Sequence, residues 1–228
     1  MRNLARFRWL LISVPALLCG WLGRGDEFQW RPAASIRLLE AGKFELFAYG
    51  ETWLVPRDRL ELDQYQLSAR LRYHVHTNVA LGLNYTYLDN HRYLSNGDSQ
   101  WQDQDRLEFE VTPHWEHPSG LRLSCRNRLE VRWIEDRPDE NYRTRHLLEA
   151  GWPVQLPRPF TGAFSSAEVF YDWTRGRLTE WRVSPAGVDL RVCPRTSLRL
   201  YYTWRESESQ GLWTTSHVVW TVLNFKLD

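Results

Sequence analysis

Apolar and polar residues alternate with a period of two along most of the chain after residue 43. In residues 121–133 nearly every second position is apolar, from Leu121 to Trp133, and the positions between them are mainly arginine. A period of two is typical of a β-strand, whose successive side chains point to opposite faces. The pattern predicts ten strands, near residues 43–53, 65–73, 79–87, 104–116, 121–133, 142–153, 162–174, 180–192, 196–206 and 213–227.

The predicted connections alternate between two kinds. Short ones fall at 75–78, 117–120 and 193–195, with a proline-bearing one at 154–161, and longer or more polar ones fall at 54–61, 89–103, 135–141, 175–179 and 207–212. Long strands joined in this way are typical of an antiparallel up-and-down transmembrane β-barrel of the outer-membrane type. We therefore predict an all-β barrel of about ten strands, with ten to twelve as the range.

The first 42 residues predict an exported protein with a segment ahead of the barrel. Residues 1–25 combine three early arginines, a short apolar run and the sequence Gly23-Arg24-Gly25, as a cleavable signal peptide does. Residues 26–42 then form an N-terminal segment, and residues 43–228 form the barrel. An eleventh strand over 28–41 would break the even strand number of such barrels, so this segment is either a periplasmic helix ending at Gly42 or an extra strand.

Composition narrows the class of protein. The formal charge of +1 does not favour nucleic acid as a partner, and no apolar run reaches the roughly 18 residues of a membrane-spanning helix. The chain has 13 tryptophans, most of them near predicted strand ends, where amphipathic indoles would meet lipid headgroups. The predicted membrane-interface residues are Trp53, Trp115, Trp133, Trp152, Trp173, Trp181, Trp204 and Trp213. The alternative is a secreted soluble β-sandwich that binds ligands through its tryptophans.

The polar faces of the predicted strands carry many charges, which would line the barrel lumen. They are Arg70, Arg72, Arg106, Glu108, Glu110, Arg122, Arg126, Arg128, Glu130, Arg132, Arg143 and Arg145. A tight turn at 117–119 would place Glu110 opposite Arg126, Glu108 opposite Arg128 and Arg106 opposite Glu130, all of opposite sign. Two interpretations stay open. The charges form a salt-bridge network that fills a narrow barrel, or they line a constricted path that favours small anionic solutes.

No residue pattern demands an enzyme, a metal or a cofactor. The catalytic alternative is an outer-membrane lipid-modifying hydrolase that uses His91 and Ser95, which share the longest predicted loop. His117 and Ser119 fit turn chemistry, and adjacent Ser216 and His217 would point to opposite faces of a strand. We therefore expect a non-enzymatic barrel in contact with outer-membrane lipids, and the sequence does not predict its oligomeric state. Cys125 and Cys193 are expected to be thiols rather than a disulfide.

Four segments together resemble an uncharacterised family of predicted outer-membrane barrels, domain of unknown function 2490. They are FQWRPAASIRLLEAGKFELFAYGETW, YQLSARLRYHVHTNVALGLNYTYL, NRLEVRWIEDRPDENYRTR and VVWTVLNFKL. The resemblance covers roughly residues 28–227. It implies an outer-membrane location and a strand over residues 28–40, and it supplies no catalytic residues.

Overall fold

A computed structural model describes residues 27–93, 99–154, 157–209 and 211–227. The predicted signal peptide, residues 1–25, lies outside the described residues. All regular structure in the described part is β. The strands are β1 (Glu27–Ala41), β2 (Phe44–Pro56), β3 (Leu60–His76), β4 (Val79–Tyr93), β5 (Ser99–Glu116), β6 (Arg122–Ile134), β7 (Asn141–Trp152), β8 (Phe160–Asp172), β9 (Arg177–Cys193), β10 (Thr196–Ser209) and β11 (Leu212–Lys226).

The eleven strands form one closed barrel, so the two-sheet sandwich expected as an alternative is wrong. Consecutive strands pair antiparallel, and the barrel closes where β1 pairs with β11 in parallel. The ten strands predicted from alternation correspond to β2 through β11. Of the two alternatives for residues 26–42, the helix is wrong, because this segment forms β1. An even number of strands is needed only when the first and last strands pair antiparallel, and here they pair in parallel.

The strands run past the predicted boundaries at one end of the barrel. We call the end at which β1 begins the upper end, and the end at which β11 finishes the lower end. At the upper end the predicted loop 54–61 is reduced to residues 57–59, because β2 and β3 pair as far as Pro56 and Leu60. Similar extension shortens the other upper loops. The expected contrast between long and short connections is therefore weak in the structure.

Most strands present an apolar face outward and a polar face inward. Charged side chains are buried on the inner face, where Glu130 is fully buried and Glu108 is 2% exposed. Large apolar side chains on the outer face are 37–60% exposed, and they form what we call the apolar belt: Leu67, Leu71, Leu81, Leu83, Phe109, Val111, Leu123, Leu129, Leu148 and Val169. This distribution is the reverse of that in a soluble barrel, whose interior is apolar.

The predicted register between β5 and β6 is wrong by two residues. In the structure Glu110 lies opposite Arg128, and Glu108 lies opposite Glu130. The turn is longer than expected, since the backbone N–H of His117 donates to the carbonyl of Leu121 at 2.8 Å. The prediction assumed that charges pair only with the residue directly opposite. Long arginine side chains instead reach diagonal positions and the next strand, which relieves the repulsion between like charges.

Close packing inside the lower half of the barrel depends on one glycine. Phe164 of β8 is 2% exposed, and its ring lies edge-on to Tyr201 with 5.4 Å between ring centroids. A Cβ atom on Gly187 of β9 would lie 2.3 Å from two carbons of the Phe164 ring and 2.8 Å from the Cβ of Tyr201. The absent side chain of Gly187 therefore provides the space that the phenylalanine ring occupies.

We expect Gly187→Ala to lower the free energy of unfolding by about 1–3 kcal/mol, because the added methyl group overfills a closely packed site. Urea unfolding of the protein refolded in detergent would measure the change. The matched control is Gly151→Ala on β7, where the nearest atom to the new Cβ would be 3.8 Å away. Equal effects of the two substitutions would contradict this account of the packing.

Candidate functional site

The barrel interior holds a cavity of about 550 Å³ whose wall is mostly polar and charged. Among the described residues, its wall includes eleven arginines and five glutamates, and no lysine or aspartate. The arginines come from six strands and one upper loop: Arg70, Arg106, Arg126, Arg128, Arg132, Arg143, Arg145, Arg175, Arg182, Arg199 and Arg205. The surface of the cavity therefore carries more positive than negative charge.

Arg128 of β6 holds two carboxylates of β5. Its guanidinium lies 2.8 Å from Glu108 and 2.8 Å from Glu110. The side chain of Arg128 is only 5% exposed, so these ion pairs are shielded from solvent. Glu110 also accepts a hydrogen bond from the hydroxyl of Thr112 at 3.0 Å, and Glu108 accepts one from the amide of Asn84 at 3.2 Å. These contacts tie three neighbouring strands together on their inner faces.

A second group of ion pairs connects β6, β7, β8 and β9. Glu130 is contacted by Arg143 at 2.6 Å and by Arg145 at 3.0 Å. Arg145 also contacts Glu168 at 3.0 Å, and Glu168 is shared with Arg126 at 3.0 Å. Each buried carboxylate here therefore has at least two guanidinium partners, which offsets the free energy of removing the charges from water.

An aromatic ring lies within this second group. Phe170 of β8 is 1% exposed, and the guanidinium carbons of Arg145 and Arg182 both lie 4.6 Å from its ring centroid. The guanidinium of Arg143 lies at 5.1 Å. A cation over a ring face is attracted by the electrons of that face. Phe170 therefore provides a cation–π contact to three arginines of this group.

Arg31 of β1 is a buried interior residue that sequence analysis missed. It is fully buried, and its guanidinium lies 3.3 Å from the ring centroid of Trp53 and 5.0 Å from that of Trp220. The amide oxygen of Gln29 accepts a hydrogen bond from the same guanidinium at 2.5 Å. Trp53 therefore lies inside the barrel, and its predicted place at the membrane interface is wrong. The arginine side chain links β1 to both of its neighbours.

The other predicted lumen residues lie either on the cavity wall or near the lower end of the barrel. Arg132 contacts Asp172 at 2.7 Å near the upper end. Arg72 and Arg122 lie toward the lower end, where Arg72 is 3.6 Å from Glu45 and Arg122 is exposed. Arg70 and Arg106 line the cavity, and neither has a carboxylate oxygen within 4.0 Å among the described residues.

The remaining predicted tryptophans lie on the outer surface. Six of them are 40–60% exposed: Trp115, Trp133, Trp152, Trp173, Trp204 and Trp213. Trp181 is half-buried, with its ring centroid 5.8 Å from that of Trp204. Trp115 and Trp152 lie near lower strand ends, and the others lie in the upper half. Their role at a membrane interface stays a prediction.

Only one member of the predicted catalytic pair lies within the described residues. His91 lies near the upper end of β4, with its ring centroid 5.2 Å from that of Trp101, and Ser95 lies outside the described residues. His117 contacts Ser119 within the lower turn at 2.8 Å. Nδ1 of His217 lies 2.5 Å from the hydroxyl of Tyr202.

Across 27–93, 99–154, 157–209 and 211–227, no group of three or more histidine, cysteine or acidic side chains could hold a metal ion. Cys125 and Cys193 are free thiols, as predicted. In the same residues, no helix has the length and apolar character needed to cross a membrane.

A family model described as protein of unknown function (DUF2490) matches residues 25–216. The chain belongs to this family. No curated protein matches it, and no solved structure matches it.

We expect Arg128→Ala to lower the free energy of unfolding by about 3–5 kcal/mol, because it leaves Glu108 and Glu110 buried without their guanidinium partner. Urea unfolding in detergent would measure the loss. Adding Glu108→Gln and Glu110→Gln to Arg128→Ala removes the unpaired charges and should recover part of the stability. A triple variant that is less stable than Arg128→Ala would contradict this explanation.

Proposed function

We propose that this chain is an integral outer-membrane β-barrel that acts as a narrow passive passage favouring small anionic solutes. The observation that carries the proposal is the reversal of polarity across the barrel wall. The outer face exposes the apolar belt, and the inner face buries a network of paired charges around an arginine-rich cavity.

The apolar belt supports a location in lipid. Leu148 is 57% exposed, Leu67 is 60% exposed and Leu83 is 44% exposed, and none is near a strand end. Soluble monomers rarely expose contiguous apolar patches larger than a few hundred Å². In a hydrocarbon environment the side chains of the apolar belt would contact lipid instead of water. The closed hydrogen-bonded barrel also satisfies the strand backbone where no water is present.

Polar side chains on the outer face near the upper end support an upper boundary to the apolar belt. The outward residues Asp103 and Asp105 of β5 accept hydrogen bonds from the hydroxyls of Tyr87 at 2.8 Å and Tyr85 at 2.5 Å. Carboxylates with tyrosine partners suit the headgroup level better than the hydrocarbon. The membrane would therefore surround the middle and lower parts of β4 and β5.

The interior supports a narrow passage rather than a wide pore. Barrel width grows with strand number, and eleven strands enclose less space than the 16 to 18 strands of porins. Paired side chains occupy most of the lumen and leave about 550 Å³. Because arginines outnumber glutamates on the cavity wall, an anion would meet a more favourable potential there than a cation.

We expect Leu148→Arg to lower the free energy of unfolding in lipid vesicles by about 2–4 kcal/mol, because it places a charge on the lipid-facing middle of β7. Unfolding titrations in vesicles would measure this. Leu212→Arg, at the upper end of β11, makes the same chemical change outside the belt and should cost about 0–1 kcal/mol. Equal effects at the two positions would contradict the proposed position of the membrane.

In a planar bilayer, the refolded wild-type protein should produce small discrete current steps with a reversal potential that indicates anion preference. The same preparation boiled before addition is the control. A protein that folds into vesicles but stays electrically silent would contradict the passage. A protein that remains soluble without detergent would contradict the membrane location itself.

A further inference from the structure

A groove of about 590 Å³ runs along the outer surface of the barrel, and we call it the aromatic groove. Its walls are formed by Leu129, Glu140, Tyr142, Thr144, Trp173 and Thr174. Tyr142 is 44% exposed and Trp173 is 60% exposed, so a ligand outside the barrel can reach both rings. The indole N–H of Trp173 donates to the hydroxyl of Thr144 at 3.1 Å, which holds the ring beside the groove. Most of the groove surface is therefore apolar or aromatic.

The upper end of the aromatic groove adjoins a second pocket of about 300 Å³, which we call the acidic pocket. Glu140 lies on the wall of both. The charged residues on the wall of the acidic pocket are Asp103, Asp105, Glu135, Arg137, Asp139 and Glu140. Among the residues that the structure describes, none of these five carboxylates has a basic side chain within 4.0 Å. The acidic pocket therefore carries a net negative charge.

A sixth carboxylate, that of Asp89, adds to the negative charge beside the acidic pocket. Asp89 lies opposite Asp103 in the pairing of β4 with β5, and it is 8% exposed. Its Oδ1 atom is buried without a hydrogen-bond partner. Like charges directly opposite each other on two strands destabilise a sheet. A cation in the acidic pocket would reduce this repulsion.

The direction of the aromatic groove indicates the kind of ligand that it fits. Leu129 belongs to the apolar belt and lies five residues below the upper end of β6, which is about 16 Å along the strand. Glu140 lies in the loop above β7. The groove thus runs from the proposed hydrocarbon region to the headgroup level. A lipid has its apolar chain and polar headgroup in the same order, whereas an amphipathic helix lies in the plane of the interface.

We propose that the aromatic groove and the acidic pocket together bind one lipid whose headgroup carries a primary ammonium group. The acyl chain lies along the groove against Leu129, Tyr142 and Trp173, and the ammonium group lies among the carboxylates of the acidic pocket. An ammonium group has three hydrogen-bond donors and no acceptor, and carboxylates only accept. Hydrogen bonds between such charged groups are stronger than those between neutral groups. The inference goes beyond the proposed passage and rests only on the proposed membrane location.

Native mass spectrometry of the full barrel in detergent would measure the bound lipid. The probes are phosphatidylethanolamine and, with the same acyl chains, phosphatidylglycerol, whose headgroup has no amine. We expect phosphatidylethanolamine to exceed phosphatidylglycerol in occupancy by about fivefold or more. Asp139→Asn/Glu140→Gln changes two exposed loop residues and should reduce this preference to about twofold or less. Equal occupancy of the wild-type protein by both lipids, or an unchanged preference in the double variant, would overturn the proposal.

Asp58→Asn/Glu61→Gln is the matched control. It removes the same two charges at the upper ends of β2 and β3, and neither residue lies on the wall of the aromatic groove or the acidic pocket. We expect its lipid preference to stay close to that of the wild-type protein. An equal loss of preference in this control would indicate a general effect of surface charge and would overturn the assignment to the acidic pocket.

Trp173→Ala tests the apolar part of the site. It removes one wall of the aromatic groove and leaves the carboxylates in place, so the occupancy by phosphatidylethanolamine should fall while the preference over phosphatidylglycerol remains. Unchanged occupancy would overturn the placement of the acyl chain. A dimer in place of a lipid adduct, lost in Asp139→Asn/Glu140→Gln, would identify a second copy of the chain as the occupant and would overturn the lipid.

Failure of this site and failure of the proposed function give different results. A protein that enters vesicles but has no headgroup preference would contradict the lipid site alone. A protein that remains soluble without detergent would contradict the membrane location on which the site rests. Because the measurement uses no current, an electrically silent barrel that prefers phosphatidylethanolamine would contradict the passage alone.

Discussion

Pairing of arginines with carboxylates inside the barrel is the interaction on which the rest of the structure depends. The exterior is apolar, so the charged halves of the strands have only one another and the residual cavity as surroundings. Glu130 and Glu168 are each contacted by at least two arginines from other strands, and Glu180 is contacted by Arg205 of β10 and by Arg182 of its own strand. A buried ion pair is only marginally favourable by itself, because desolvation offsets attraction. Sharing of partners across several strands is what stabilises the buried charges of this interior.

The same network sets the size and charge of the cavity. Nearly all of the acids are engaged with guanidinium groups or with hydroxyl and amide donors, and several of them lie behind the wall rather than on it. The arginines are longer, so their charged ends extend further toward the centre. A chain with a formal charge of +1 thereby encloses a cavity whose surface is clearly positive.

The sequence predicts most of the fold but not how its charges pair. Alternation predicted β2 through β11 because each of these strands separates apolar from polar residues locally. β1 lacked that signal, since Pro32 and Ala34 are weak strand formers and its parallel partner lies at the far end of the chain. The sequence pattern misses the register of β5 and β6 and the interior position of Trp53 because both depend on contacts among three or more strands. Such contacts have no local sequence pattern.

The parallel pairing of β1 with β11 determines which side of the barrel each end of the folded chain occupies. Glu27 lies beside Ser216, and Arg37 lies beside Lys226, so the first and last strands run in the same direction. In a barrel with an even number of antiparallel strands, the chain enters and leaves on the same side. Here it enters β1 at one rim and leaves β11 at the opposite rim. A bilayer around this barrel would therefore separate the two ends of its wall, and labels attached at those ends would face different compartments.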